Sequence, residues 1–334
     1  MKRRLLFAVA LIATMTAWAQ NIAVVNSSNS TTIYQTLDEA INKATDGSVI
    51  YLPGGGFQIS GETKINHRVT IMGVSHHGDT DNVDGATIIA GNLNFVEKSS
   101  GSAVVGVYVS GNINVGTETD SVLNFTVRYC NVGSIQVKNS QSSGMVVNQT
   151  YLRNNCNFGN CNVRLINNVL HSLQGVNGGM VDHNIVTSSQ AYPRTSTYWP
   201  RYTLFNVRNC VISNNIFITF DYYSLEEGGV TDNSILNNCL GTGSWGDNPI
   251  IIEEGTNLWD DVFFAHKGVS IYSDYRLKGK WGKKAATDGT DIGIYGNIAE
   301  KKDYAPIPRI VSKKVDEQTD GSGKLKIEVK VKAF

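Results

Sequence analysis

Two segments carry the side chains best suited to grip a ligand. In "QAYPRTSTYWPRY", residues 190–202, Tyr192, Tyr198, Trp199 and Tyr202 are interleaved with Arg194 and Arg201. Farther on, "FDYYSLEEGG" brings Tyr222, Tyr223, Glu226 and Glu227. Aromatic faces stack on sugar rings, and the planar guanidinium holds carboxylates or sulfates through paired N–H bonds. So much aromatic surface is unfavourable in water unless it packs or binds. Two readings therefore stand: the segments wall a glycan groove, or they pack on each other, arginine to glutamate and ring to ring. A third cluster, "SHHGD" at 75–79, holds His76, His77 and Asp79. By type it is a metal trio, but its glycine-flanked context reads as an exposed turn.

The elements that must position these residues are bounded first by composition. With 29 basic and 29 acidic residues the formal net charge is +0, which provides no global field for nucleic acid or an anionic membrane. An acidic polysaccharide or cell-surface glycan would have to meet a local basic site. Lys2, Arg3 and Arg4 precede the apolar run Leu5 to Ala13, and Ala17-Trp18-Ala19 supplies a small-x-small cleavage site. Residues 1–19 thus read as an export signal, and the protein as secreted, extracellular or periplasmic. No later segment approaches the ~20 apolar residues that span a bilayer. The five cysteines, Cys130, Cys156, Cys161, Cys210 and Cys239, follow Tyr or Asn and stand one or two residues before an apolar residue, which suggests one recurring inward slot and no metal spacing.

The middle of the chain repeats. "NNVL", "HNIV" and "NNIF" place their second residue at Asn168, Asn184 and Asn215, with "DNSIL" at Asn233 as a looser copy. Successive spacings are 16, 31 and 18 residues, the long one containing the Tyr/Trp/Arg insertion. Short β-branched strands, Asn/Gly turns and a period of this size predict a parallel β-solenoid. Asn at a bend tolerates left-handed backbone, and its amide can bond the amide one rung away.

A stack of rungs has open ends, and one end has a candidate cover. In "TIYQTLDEAINKATDGSVIYLPGGGF", Thr36 and Glu39 form a capping box, and Leu37, Ala40, Ile41 and Ala44 line one helical face. A helix over 36–45, followed by strands, fits an N-terminal cap that blocks edge pairing. At the other end "KLKIEVKVKAF" alternates charged residues with Leu325, Ile327, Val329, Val331 and Ala333, a half-buried strand expected to fold back on the coil's flank. The expected organisation is a signal at 1–19, a solenoid at 20–300 and an extension strand at 301–334.

These segments resemble the secreted right-handed parallel β-helix proteins of the pectate-lyase-like superfamily. The opening helix and "DGSVIYLPGGG" are similar to that family's first rung, and "DYRLKGKWGKKAATDGTDIGIYG" at 274–296 resembles its closing segment, without the usual Ser-Pro. The resemblance implies an all-β fold, a right-handed parallel β-helix with a short N-terminal capping α-helix and a C-terminal β extension. It also implies a polysaccharide groove along one sheet.

Family chemistry is a further implication of the resemblance. Lyases of this kind use a cation, usually Ca²⁺, to neutralise a uronate, and a base to remove the α-proton. "MVDHNIV" resembles a "W-I-D-H" rung, with Asp182 and His183 at the matching positions, and Asp232 reads as its rung equivalent. Asp182 and Asp232 are therefore the candidate Ca²⁺ ligands, with turn-capping as the other reading. Arg194, Arg201, Arg208 and His183 are the candidate bases, an arginine only where its surroundings depress its pKa greatly. The paired aspartates of the family's hydrolases are missing, since Asp260-Asp261 lies outside the repeat. Two functions remain open: a uronate lyase acting by β-elimination, or a non-catalytic adhesion or glycan-binding scaffold.

Overall fold

The computed structural model describes residues 21–77, 85–187, 204–218, 229–240, 245–251, 261–265, 273–296, 309–315, 318, 322 and 324–332. Strands recur in a fixed order, each circuit adding one strand to each of three faces. The first face begins with Ser48–Leu52, Val69–Gly73 and Ala103–Val105; the second with Gly55–Gln58, Thr87–Ala90 and Tyr108–Val109; the third with Lys64–Ile65, Leu93–Phe95 and Ile113–Val115. The second face is a 10-stranded sheet. The other two merge into a 15-stranded sheet because Cys156–Ile166, Leu173–Asp182 and Leu204–Ser213 run round the corner between them. Pairing between successive circuits is parallel on every face, as the β-solenoid expected from the repeat requires.

Stacking of like on like builds the core. On the first face Ile50, Ile71, Val104, Val127, Val147, Leu165, Val181 and Ile212 fall in one register column, each fully buried. Each such side chain contributes roughly 1.5–3 kcal/mol by leaving water. Phe57, Ile89, Val109, Val132, Leu152, Leu170, Val186 and Phe217 form the matching column of the second face.

Between the first and second faces the chain turns within two residues. Tyr129, Gln149, Asn167, His183, Asn214 and Asn237 occupy left-handed backbone at φ 49 to 58. Asparagine and histidine are among the residues that tolerate this region best. The next position is an internal ladder: Asn168, Asn184, Asn215 and Asn238 are joined amide to amide at 3.0 Å, each side-chain N–H₂ also donating to a carbonyl of a preceding rung. The "Asn-Asn" pairs thus divide two tasks, one residue bending the chain and the next stitching rungs. The final copy is Asn238, not Asn233. Asn233 stitches a different bend, accepting from the Cys210 N–H and donating to Val207 O, so the two sites look alike in sequence and differ only in register.

The helix Leu37–Lys43 covers the first rung with Leu37, Ala40 and Ile41, and Thr36 Oγ1 accepts from the Glu39 N–H as the capping box requires. A feature the sequence reading lacked is the antiparallel hairpin Ile22–Val25 and Thr31–Tyr34, whose first strand pairs with Ser48–Leu52 and closes that edge.

Three expectations are corrected. Cys130, Cys156, Cys161 and Cys210 are buried free thiols but do not share a slot. Cys130 sits at the ladder position below Thr150, whereas Cys156 aligns with Leu173, Cys161 with Val176 and Cys210 with Gly179. Small volume, not one rung position, is what they have in common. Second, among the described residues the terminal strand Ile327–Lys332 pairs antiparallel with Arg309–Val315 and not with the coil, and Ile327, Val329 and Val331 are 49–59% exposed. Third, it is residues 262–265 and 273–294 that cover the coil's flank. The outer side of the second face, at Tyr151, Val169, Ile185 and Ile216, forms a second hydrophobic cluster with Phe263, Tyr275, Ile292 and Ile294.

Candidate functional site

The outer side of the third face carries a column of amides. The "apolar–amide–apolar" triplets Leu93-Asn94-Phe95, Ile113-Asn114-Val115, Ile135-Gln136-Val137 and Cys156-Asn157-Phe158 each turn two side chains into the core and one amide out. Register places Asn94, Asn114, Gln136, Asn157 and Gln174 on successive rungs, followed by the exposed Phe205. Neighbouring strands lie about 4.8 Å apart, so the column presents one polar group per strand spacing.

Local bonds hold these amides in place without saturating them. Asn114 Nδ2 donates to Asn94 Oδ1 at 2.8 Å, and Asn94 Nδ2 donates to the carbonyls of Gly61 and Thr63. Gln136 Nε2 donates to Ser134 Oγ and Asn155 O, both at 2.9 Å, and Asn157 Oδ1 accepts from the Gly159 N–H. Asn114 Oδ1, Gln136 Oε1 and Asn157 Nδ2 have no protein hydrogen bond among the described residues. Two acceptors and a donor therefore face an open groove of about 490 Å³ lined by Asn114, Gln136, Asn157, Glu118 and Lys138. The turn bearing Glu118 is fixed to the next rung, because Asn139 Nδ2 donates to Glu118 O at 3.2 Å. A corrugated row of fixed amides flanked by one acid and one base can hydrogen-bond hydroxyl groups.

Asp182 and His183 stand elsewhere, at the bend between the first and second faces. The Asp182 carboxylate accepts from Ser213 Oγ at 2.8 Å and Asn214 Nδ2 at 2.9 Å and lies 3.0 Å from His183 Nδ1. Burial raises the carboxyl's pKa, but hydrogen bonds and charge from His183, with Ser213 and Asn214, outweigh it and hold the group below its ordinary value. His183 is 1% exposed, and its Nε2 is 3.4 Å from Thr290 Oγ1. The same stack of left-handed residues grips the covering segment throughout: Asn167 Nδ2 donates to Ile294 O, Asn214 Nδ2 to Thr287 Oγ1 and Asn237 Nδ2 to Ala285 O. The pair therefore acts as a docking junction for residues 285–294.

The shared face expected for Asp182 and Asp232 is not formed. Register sets Asp182 against Ser213, which in turn opposes Leu236, while Asp232 is exposed at another bend beside Thr231, the partner of Arg208. Among the described residues no three His, Cys, Asp or Glu side chains gather as a metal-ligand set. Arg208 is exposed and donates to Asn206 Oδ1. His76 departs from the exposed turn expected of it: it is buried, edge-on to Tyr151 with ring centroids 5.5 Å apart. Tyr192, Arg194, Tyr198, Trp199, Arg201, Tyr202, Tyr222, Tyr223, Glu226 and Glu227 lie outside the described residues, as does the export signal at 1–19.

The sequence reading missed the amide column, although "LNF", "INV", "IQV" and "CNF" recur 20 to 22 residues apart and could have revealed it. No protein-family model, curated protein or solved structure matches this chain. No helix among the described residues is long and apolar enough to cross a membrane.

Proposed function

We propose that this chain is an exported right-handed parallel β-helix of the pectate-lyase-like kind that binds a polysaccharide along its third face. The observation that carries the reading is the amide column of Asn94, Asn114, Gln136 and Asn157, fixed from below yet with acceptors and a donor left toward an open groove. A linear glycan lying across the rungs would meet a fresh amide at each strand. Preorganised polar groups of this kind reduce the ordering that binding requires. The reading is one of binding, in a surface or adhesion role, without turnover. His183 and Asp182, one candidate base and one candidate cation ligand for an elimination mechanism, are engaged in docking the covering segment.

Calorimetric titration of the purified protein with neutral and acidic oligosaccharides tests this, alongside the Asn114→Ala/Gln136→Ala double variant. Saturable binding to at least one glycan, weakened by about tenfold or more in the variant, is expected, since each lost hydrogen bond is worth about 0.5–1.5 kcal/mol. Equal binding by both proteins would remove the groove from the account. Absorbance of unsaturated uronate, followed in the same samples with Ca²⁺ and with chelator, should stay flat; a rise would restore the lyase reading.

A further inference from the structure

A second polar site lies on the uncovered part of the second face. There Arg153 lies over the Tyr108 ring, 4.4 Å from its centroid. Its Nη1 donates to Asn131 Oδ1, and its Nη2 donates to the carbonyls of Val109 and Ser110 at 2.8 and 3.0 Å. Every one of these partners is neutral. The Nε–H and one Nη1–H have no acceptor among the described residues, and no carboxylate there forms an ion pair with the guanidinium. Burial depresses its pKa, and among the described residues the Tyr108 hydroxyl is the ionisable group that opposes the shift. A half-buried cation fixed by dipoles alone is short of countercharge, since a desolvated charge is normally paired.

Ser110 adds a donor beside it. Its Oγ accepts from the Gly91 N–H at 3.0 Å, which leaves its own hydrogen without a protein acceptor among the described residues. Ser110 is exposed at the turn that leads to the third face, and its carbonyl is one of those holding Arg153.

We infer that Arg153 and Ser110 form an oxyanion-binding site, seated on Tyr108, that takes the carboxylate or sulfate group of a ligand. The guanidinium supplies charge and the remaining N–H donors, the serine a hydroxyl donor, and the neutral acceptors beneath hold the cation in place. The site stands apart from the amide groove and does not depend on its glycan role.

The test follows the side-chain Nε–H resonance of Arg153 in ¹⁵N-labelled protein, identified by its loss in Arg153→Gln, during titration at constant ionic strength. Sodium sulfate and sodium glucuronate are the probes, with glucose and sodium chloride as controls. Saturable movement with sulfate, glucuronate or both is expected, the stronger probe identifying the oxyanion source. Ser110→Ala should leave the unfolding midpoint unchanged and weaken binding by about tenfold, the loss of one hydrogen bond to a charged group. Asn114→Ala should change nothing, which separates this site from the groove. No saturable shift with either oxyanion, or equal shifts with glucose or chloride, would overturn the inference. Undiminished binding in Ser110→Ala would remove the serine from it.

Discussion

Asn184 offers the sharpest stability test of the internal ladder. Its Oδ1 accepts from both the N–H and the Nδ2 of Asn168, at 2.9 and 3.0 Å, while its Nδ2 donates to Leu165 O and Asn215 Oδ1. The residue is fully buried, so no water replaces what is lost. Asn184→Ala strands two buried donors of Asn168 and takes one donor each from Leu165 O and Asn215 Oδ1. Leaving a buried donor unsatisfied costs about 1–3 kcal/mol, so the two Asn168 donors alone predict about 2–6 kcal/mol. Asn184→Asp should cost at least as much, because it keeps the acceptor, loses both donations and buries a charge. Asn177→Ala, at an exposed position on the neighbouring bend, should change stability by no more than about 0.5 kcal/mol. Urea unfolding followed by circular dichroism and tryptophan fluorescence together would give these values and reveal any local step, which a repeat architecture permits. A loss under about 1 kcal/mol for Asn184→Ala would refute the ladder as a buried, water-free network.

Other consequences are equally direct. The folded-state pKa of Asp182 is depressed, so its contribution to docking is present above the ordinary carboxylate range and is lost as pH falls through the folded value. Protection factors at Thr287 and Gly293, whose N–H groups donate to Asn214, should fall on acidification in wild type, and Asp182→Asn should abolish that pH dependence. Burial pushes the Cys156 and Cys161 thiols up to about 12 and the Cys210 thiol to about 11, so these three should resist a thiol reagent until denaturant is added. Reducing agent should leave the melting temperature unchanged; a substantial drop would reveal a disulfide. Leu37→Asp buries a charge under the cap and should cause aggregation or a large fall in melting temperature, whereas an unchanged melt would contradict the helix's covering role.

Much of the scaffold was legible because its rules are local. The capping box at Thr36 and Glu39, the helical stripe from Leu37 to Ala44 and the Asn168–Asn184–Asn215 spacing each encode one physical task. What escaped the sequence depends on register. Asn233 precedes Ser234-Ile235 and Asn238 precedes Cys239-Leu240, and only stacking reveals that they serve different bends. Likewise Asp182 and Asp232 look equivalent in sequence, but register continues the Asp182 column through Ser213 to Leu236 and leaves Asp232 out of it. Ile185-Val186 and Ile216-Phe217 form two-residue strands buried on both sides, so alternation gives no sign that Ile185 and Ile216 face an outer layer. The amide column was written plainly in the triplets, yet a search for titratable groups passes over neutral side chains.

The most direct test of glycan recognition is hydrogen–deuterium exchange of the intact protein with and without a saturating oligosaccharide. The account predicts added protection confined to the third-face strands Leu93–Phe95, Ile113–Val115 and Ile135–Val137 and to the turn bearing Glu118, and loss of that protection in Asn114→Ala/Gln136→Ala. Protection elsewhere on the coil with these strands unchanged, or a footprint that survives the double variant, would contradict it.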